Sequence, residues 1–313
     1  MSLERALALV DAAQGGGYPN PTVGAVVVAP GGQTLGEGVS EPAGGRHAEV
    51  VALDTAGKAA RGATLYVTME PCAHHGRTPP CVDRVVEAGV ARVVAACADP
   101  SAEARGGAER LRAAGVEVEL LDLAEARRQN EAWRTWAALG RPHVTLKLAV
   151  SVDGRAVVPR RRWVTGPQAR RRVHELRASV DAVGVGMGTV RADAPRLDAR
   201  DVEAATQPRR LAFGRGPLPE GSELELRSGP LDEELGALGA EGVQSLLLEG
   251  GPTLATAFIA AGLVDKLVLF VAPVLAGDGP RVLGDLEAPL ELLHLRAEPS
   301  GEDVLVEAYL HEP

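Results

Sequence analysis

The stretch from Thr68 to Asp83, TMEPCAHHGRTPPCVD, decides how the first half of the chain is read, together with RHAEVV from Arg46 to Val51. They bring three metal ligands, His47, Cys72 and Cys81, and a carboxylate, Glu49, two residues past the histidine. Three protein ligands and one open position make a catalytic zinc site rather than a structural one. A closed structural site needs a fourth ligand, which His74 or His75 could supply, but Glu49 would have no task in it. Pro71 suits the first turn of a helix. That would set Cys72 near a helix N-terminus, where the dipole favours a thiolate.

A His-x-Glu followed by Pro-Cys and a second Cys is the signature of the zinc deaminases of bases and nucleotides. Zinc lowers the pKa of its water to about 7, which makes a nucleophile for a ring carbon bearing an amino group. Glu49, not a ligand, is the expected catalytic proton carrier, from that water to the ring nitrogen and then to the leaving ammonia. Most such sites space their cysteines Cys-x-x-Cys. Here Ala73 to Pro80 intervenes, polar and rich in turn formers, so it must loop out beside the metal with its basic side chains toward substrate.

That insert, with PNPTVG from Pro19 to Gly24, resembles the bifunctional riboflavin-pathway deaminase–reductase family. The Asn-Pro-x-Val-Gly segment lines the base pocket in that family, so the resemblance implies a substrate-binding Asn20. Without the family Asn20 reads as a turn residue.

The chain has 313 residues, enough for two domains, and 45% apolar residues to build their cores. Aromatic residues are only 3%, so those cores rely on Ala, Val and Leu. A net charge of -9 argues against a nucleic-acid partner. Three cysteines without a framework spacing suit metal use in a reducing compartment. With neither a leader pattern nor a membrane-length apolar run, the expectation is a cytoplasmic protein with no membrane partner.

Leu3, Ala6, Leu7 and Val10 keep helical spacing, and Gly15 to Gly17 end that helix. Strands are expected at 23–29, 33–39, 64–69, 92–97 and 116–121, with helices from His47 and around 108–114. This alternation predicts an α/β sandwich with a largely parallel sheet and both zinc motifs at helix N-termini. Cys97 reads as core, and Trp133 and Trp136 as packing residues. One uninterrupted helix is expected from Leu123 to Leu139, and GRP at 140–142 closes the domain, giving units 1–141 and 142–313.

In the second unit, Ser245 to Leu248 is a short apolar strand, followed by Gly250-Gly251 and a helix from Pro252. Strand, glycines and helix N-terminus form an anion-binding design. Alone the pair is more often a turn, and it is not the dinucleotide fingerprint. The segments TLKLAVSVDGR (145–155), WVTGPQAR (163–170), GTVRAD (188–193), LEGGPTL (248–254) and GLVD (262–265) resemble the reductase half of the same family. That resemblance implies a cytidine-deaminase-like α/β/α sandwich followed by a dihydrofolate-reductase-like α/β domain. It also implies an NADPH site at Ala149, Trp163, Thr189, Asp193 and the run Gly251, Pro252, Thr253, Leu254, Ala255, Thr256 and Ala257. Arg177, Leu197, Arg200 and Glu249 would touch substrate. Arg177 and Arg200 suit a phosphate because guanidinium pairs with it bidentately, and otherwise read as solvated arginines. Lys147 either faces substrate or ends its strand in solvent.

Two segments depart from the family. The loop from Arg155 to Trp163 is short and carries Arg160, Arg161 and Arg162, which could bind a substrate phosphate or the NADPH 2′-phosphate, or simply line the surface. Residues 214–239 are compressed. The function implied is zinc-dependent deamination of 2,5-diamino-6-(5-phosphoribosylamino)pyrimidin-4(3H)-one, then NADPH reduction of its ribosyl group, by a homo-oligomer (dimer or tetramer). Two alternatives stand beside it: a deaminase whose second domain is a non-catalytic binding or dimerisation module, and a zinc-stabilised interaction protein without activity.

Overall fold

A computed structural model describes residues 2–13, 17–76 and 78–313. Gly15, Gly16 and Arg77 therefore lie outside the described residues. The chain divides into two compact units, Met1–Leu139 and Gly140–Pro313.

In the first unit, α1 (Ser2–Ala13) precedes the hairpin β1 (Gly24–Val28) and β2 (Thr34–Val39). Then follow α2 (Ala48–Ala56), β3 (Thr64–Val67), α3 (Cys81–Ala88), β4 (Arg92–Ala95), α4 (Gly107–Ala113), β5 (Glu117–Leu120), α5 (Ala124–Gln129) and α6 (Glu131–Leu139). The sheet order is β2-β1-β3-β4-β5. β1 reads GAVVV and is buried throughout, as a central strand covered on both faces must be. Parallel pairing is confined to β3-β4-β5, and β1 runs antiparallel to both its neighbours. The largely parallel sheet expected from the sequence is therefore a mixed one. The tight turn after β1 reverses the chain, and α2 then delivers β3 parallel to β2 and against β1.

The expected single helix from Leu123 to Leu139 is two. Asn130 breaks it, with φ −129° and ψ 29°, because its side chain is used elsewhere. Its Oδ1 accepts from the Thr22 N–H at 2.8 Å and its Nδ2 donates to the Thr22 carbonyl at 2.9 Å. Two tertiary bonds to the strand-entry segment outweigh the helical preference of one residue. Trp133 packs against the core of this unit, and Cys97 is fully buried in it.

The second unit comprises β6 (His143–Ser151), α7 (Pro167–Ala178), β7 (Ala182–Gly186), α8 (Met187–Asp193), β8 (Arg209–Phe213), β9 (Glu225–Arg227), α9 (Leu231–Ala240), β10 (Ser245–Leu248), α10 (Pro252–Ala260), β11 (Lys266–Ala272), β12 (Leu293–Ser300) and β13 (Asp303–Tyr309). Its sheet runs β12-β13-β11-β6-β10-β7-β8-β9. Strands β11 through β9 are parallel, and β13 and β12 add antiparallel. The compressed segment 214–239 supplies the three-residue edge strand β9 and helix α9. Strand β12 was not expected, although Leu293 to Glu298 alternates apolar and polar residues; it is exposed along nearly its whole length. No helix among the described residues is long and apolar enough to cross a membrane.

Asp265, at the start of β11, is wholly buried. Its carboxylate accepts two bonds from Arg141 at 2.8 Å, one from the Val144 N–H at 2.7 Å, and meets His311 Nε2 at 2.7 Å. Burial pushes this carboxyl up, but Arg141 and His311 outweigh it and hold it well below the usual carboxylate range. Its stabilising contribution is therefore complete above the unfolded-state pKa, about 3.9, and disappears only as pH falls through the lower folded value. Asp265→Asn should destabilise the second unit by about 3 kcal/mol at neutral pH by stranding Arg141. Denaturant unfolding of the full chain should show that difference shrinking only in strong acid.

Candidate active sites

His47 caps the N-terminus of α2 in an extended conformation, with Glu49 inside the first turn. Two glycines on β2 allow that helix to lie close. A Cβ at Gly38 would come within 2.3 Å of the Ala48 carbonyl, and one at Gly36 within 2.3 Å of the Ala52 carbonyl. Cys72 follows the end of β3, and Cys81 opens α3 behind Pro80. The helix thus begins at the second cysteine, not at Pro71 as the sequence suggested. The eight residues between the cysteines take no regular structure among those described. Cys72 still gains from the helix end, since the Cys81 N–H donates to its Sγ at 3.3 Å.

The ligand atoms of His47, Cys72 and Cys81 lie within 4.8 Å of one another. His47 Nδ1 stands 3.1 Å from Cys81 Sγ and 3.6 Å from Cys72 Sγ. Tetrahedral zinc with ordinary bond lengths sets its N and S ligands roughly 3.5–3.8 Å apart, so this donor set fits the ion with small adjustments. The thiols share one hydrogen bond. It draws the Cys72 thiol far down, aided by His47, while the same bond and burial push Cys81 up. Neither His74 nor His75 belongs to the cluster among the described residues, so a closed four-ligand site is not formed.

Glu49 is 4% exposed and meets the Cys81 thiol. Burial first, then the Cys72 charge, pushes its carboxyl up to about 7. That is where a group both takes and gives protons in neutral solution. Glu70, quoted in the motif but given no role from sequence, anchors the Pro-Cys segment. Its carboxylate accepts from the Ala108 N–H at 2.8 Å and the Asp99 N–H at 3.2 Å. Asn20 is exposed in its turn, its N–H on the Gly17 carbonyl.

In the second unit the C-terminal ends of parallel β6, β10 and β7 gather the other candidates, where open parallel sheets bind ligands. Glu249 follows β10 and is gripped by Arg177 through Nε at 2.6 Å and Nη2 at 3.0 Å, with Lys147 Nζ at 3.4 Å. Burial pushes its carboxyl up, but the Lys147 charge and the Arg177 fork hold it below the ordinary value. Arg177 also donates to the Asp198 carbonyl at 3.1 Å, which leaves it two N–H groups for a ligand. His174, unremarked in the sequence, meets the same carbonyl at 3.2 Å. Burial and the neighbouring Arg177 and Arg200 charges lower its pKa. Arg200 is exposed and pairs with Asp198 at 2.6 Å. Leu197 is buried, with φ 55°.

Gly251 caps α10 and Pro252 opens it. A Cβ at Gly251 would stand 3.3 Å from Thr189 Oγ1, so α8 and the glycine turn share one site. Of the run Gly251 to Ala257, Ala255 is buried in the core and Thr256 Oγ1 is taken by the Pro252 carbonyl and the Gly284 N–H. Contact there is left to the backbone at Gly251 and Pro252, to exposed Thr253 and Ala257, and to half-buried Leu254. Ala149 is half-buried opposite Phe270, and Asp193 is exposed at the end of α8. Trp163 is half-exposed, with the Arg162 guanidinium 5.0 Å and the Arg170 guanidinium 5.6 Å from its ring centroid.

Fold and site together define a zinc-dependent deaminase joined to a reductase domain. Residues 2–97 match the cytidine and deoxycytidylate deaminase zinc-binding region, and residues 142–306 match the RibD C-terminal domain. The riboflavin biosynthesis protein RibD of Mycobacterium tuberculosis is 46% identical over 278 residues, covering 84% of this chain and 81% of its own. That of Aquifex aeolicus is 38% identical over 97% of this chain and 96% of its own. Acinetobacter baumannii RibD superposes with a TM-score of 0.83 at 34% identity, over 98% of this chain and 97% of its own. A Thermotoga maritima protein, described as a diaminohydroxyphosphoribosylaminopyrimidine deaminase/5-amino-6-(5-phosphoribosylamino)uracil reductase, superposes at 0.79 and 32%, with the same coverage. The chain belongs to the RibD family of bifunctional riboflavin biosynthesis enzymes.

Gly107 opens α4 against the metal segment, and a Cβ there would come 1.8 Å from the Pro71 carbonyl. Gly107→Ala should cost about 1–3 kcal/mol by displacing this backbone. Bound zinc per chain, measured by elemental analysis, should fall with it.

Proposed function

We propose that residues 1–141 deaminate 2,5-diamino-6-(5-phosphoribosylamino)pyrimidin-4(3H)-one. Residues 142–313 then reduce the ribosyl group of the product, giving 5-amino-6-(5-phosphoribitylamino)uracil. The observation that carries this reading is the cluster of His47, Cys72 and Cys81 with Glu49 buried beside it, in a chain whose other half matches the RibD C-terminal domain.

Zinc held by those three residues supplies a water that ionises near neutral pH. Glu49 would take a proton from that water at its carboxylate and give it to the ring nitrogen, then take the proton of the hydroxyl added to the ring carbon and pass it to the amino group, which leaves as ammonia as the carbonyl forms. Its burial keeps the carried proton from exchanging freely with solvent. Asn20 binds the base from the turn before β1.

In the second unit bound NADPH would supply the hydride that adds to the sugar C1 carbon of the ring-opened imine form, whose nitrogen gains a proton as the C=N bond becomes single. The start of α10 would offer the free backbone N–H groups of Gly251, Thr253 and Leu254 to the cofactor's pyrophosphate, with the rest of the run to Ala257 behind them. Thr189 stands beside that turn, and Asp193, Trp163 and Ala149 complete the cofactor contacts. Glu249, held by Arg177 and Lys147, faces the sugar. The remaining N–H groups of Arg177, with Arg200 and Leu197, take up the phosphorylated end of the substrate. The reading includes a cytoplasmic enzyme, which its three free cysteine thiols suit.

It also includes a homo-oligomer. Edge strand β12 leaves one row of backbone groups unpaired and exposes Leu295 at 60%, with Leu290 at 52% just before it. Apolar edges of this kind pair with another chain, here a second copy. Leu295→Glu should yield monomer by sedimentation velocity; an unchanged sedimentation coefficient would count against this edge.

Ammonia release and NADPH oxidation, followed together on the zinc-loaded protein with the diaminopyrimidinone substrate, test the whole sequence. Matching amounts are expected, and ammonia without NADPH loss would reduce the second unit to a silent partner. Glu49→Gln should slow ammonia release by about 10²–10⁴-fold while zinc stays bound.

A further inference from the structure

The metal cluster uses one nitrogen of His47. The other, Nε2, lies 3.2 Å from the hydroxyl of Thr78, while Nδ1 faces the two sulfurs. Neutral imidazole carries one proton, and only the nitrogen without it can bind a metal. A partner that accepts from Nε2–H therefore selects the form in which the Nδ1 lone pair is free. Metal-binding histidines with such a partner are held in tautomer and in ring orientation.

Thr78 comes from the unusually long segment between the cysteines. The start of the segment is pinned by the Ala73 N–H on the Ala104 carbonyl at 3.1 Å, and its end by the Cys81 N–H on Cys72 Sγ at 3.3 Å. Between these anchors Thr78 stands at the outer edge of the imidazole, and Pro79 and Pro80 follow it into α3. A two-residue spacer would be used up in carrying the chain from one sulfur to the other, with nothing left to reach the far side of His47. A hydroxyl also serves both states of the site. It can donate to Nε2 when the Nδ1 proton lies toward the thiolates, and accept from Nε2–H once that proton is displaced, by rotating about one bond.

We propose that Thr78 is a positioning residue for the metal, holding His47 as an Nδ1 ligand, and that the eight-residue spacing of the cysteines exists in part to deliver its hydroxyl. The proposal rests on zinc occupying the cluster, and zinc binding by the unaltered protein tests that separately.

The experiment measures zinc affinity of the full chain by competition with a chromophoric chelator, independently of turnover. Thr78→Val keeps the branched shape and removes the hydroxyl, and should weaken zinc binding by about 10–100-fold. Thr78→Ser restores a hydroxyl and should return the affinity close to that of the unaltered protein. Unchanged affinity in Thr78→Val, or an equal loss in Thr78→Ser, would overturn the proposal, the second by assigning Thr78 to loop packing. Should Thr78→Val fail to fold, nitrogen-15 NMR of the zinc-loaded, histidine-labelled unaltered protein tests the assignment through the site of the His47 proton and its exchange with solvent, which a hydrogen bond to Thr78 should slow. The proton of His47 is expected on Nε2, and its presence on Nδ1 would refute the assignment.

Discussion

Two thiolates and an imidazole must meet in a space that is partly dry, and the first unit is arranged around that demand. Helices α2 and α3 direct their N-termini at one place, so His47 and Cys81 arrive on helix ends and Cys72 receives a backbone N–H from one of them. Bringing helix ends so close to a sheet requires that backbone touch backbone. Gly36 and Gly38 on β2 and Gly107 on α4 meet that requirement, because any side chain there would overlap a carbonyl. Burial then has a chemical consequence, since the desolvation that packs Glu49 beside the cluster also raises its carboxyl into the neutral range.

The second unit solves a related problem with charge. Glu249 is largely enclosed too, its side chain 9% exposed, yet it is held ionised, because Arg177 and Lys147 converge on it. Two buried carboxylates in one chain are thus driven in opposite directions by what surrounds them. The same Arg177 reaches the Asp198 carbonyl, so the loop carrying Leu197 and Arg200 is tied to the end of β10 through one side chain.

The metal ligands, the candidate proton carrier and the glycine turn before α10 were legible from residue type and spacing, as were most strands. Errors arose where a distant contact overrode a local preference. Asn130 looks like one more residue of a long helix, and only its two bonds to Thr22 break that helix in two. Pro71 looks like a helix start, but the helix begins only at Cys81, the second of the metal-ligating cysteines. Strand β12 alternates from Leu293 to Glu298 but has neither face covered within the chain, so only its pairing with β13 marks it as a strand.

By itself, the sequence determined which atoms could bind metal, and it offered one carboxylate as the candidate to move a proton. These follow from side-chain chemistry and local period, which survive in any fold. Tertiary structure alone decided the mixed sheet, the pairing of Arg177 with Glu249 rather than with solvent, and the approach of Thr78 to His47. Each joins residues far apart in the chain, and burial and pairing energies there depend on neighbours that no local pattern encodes.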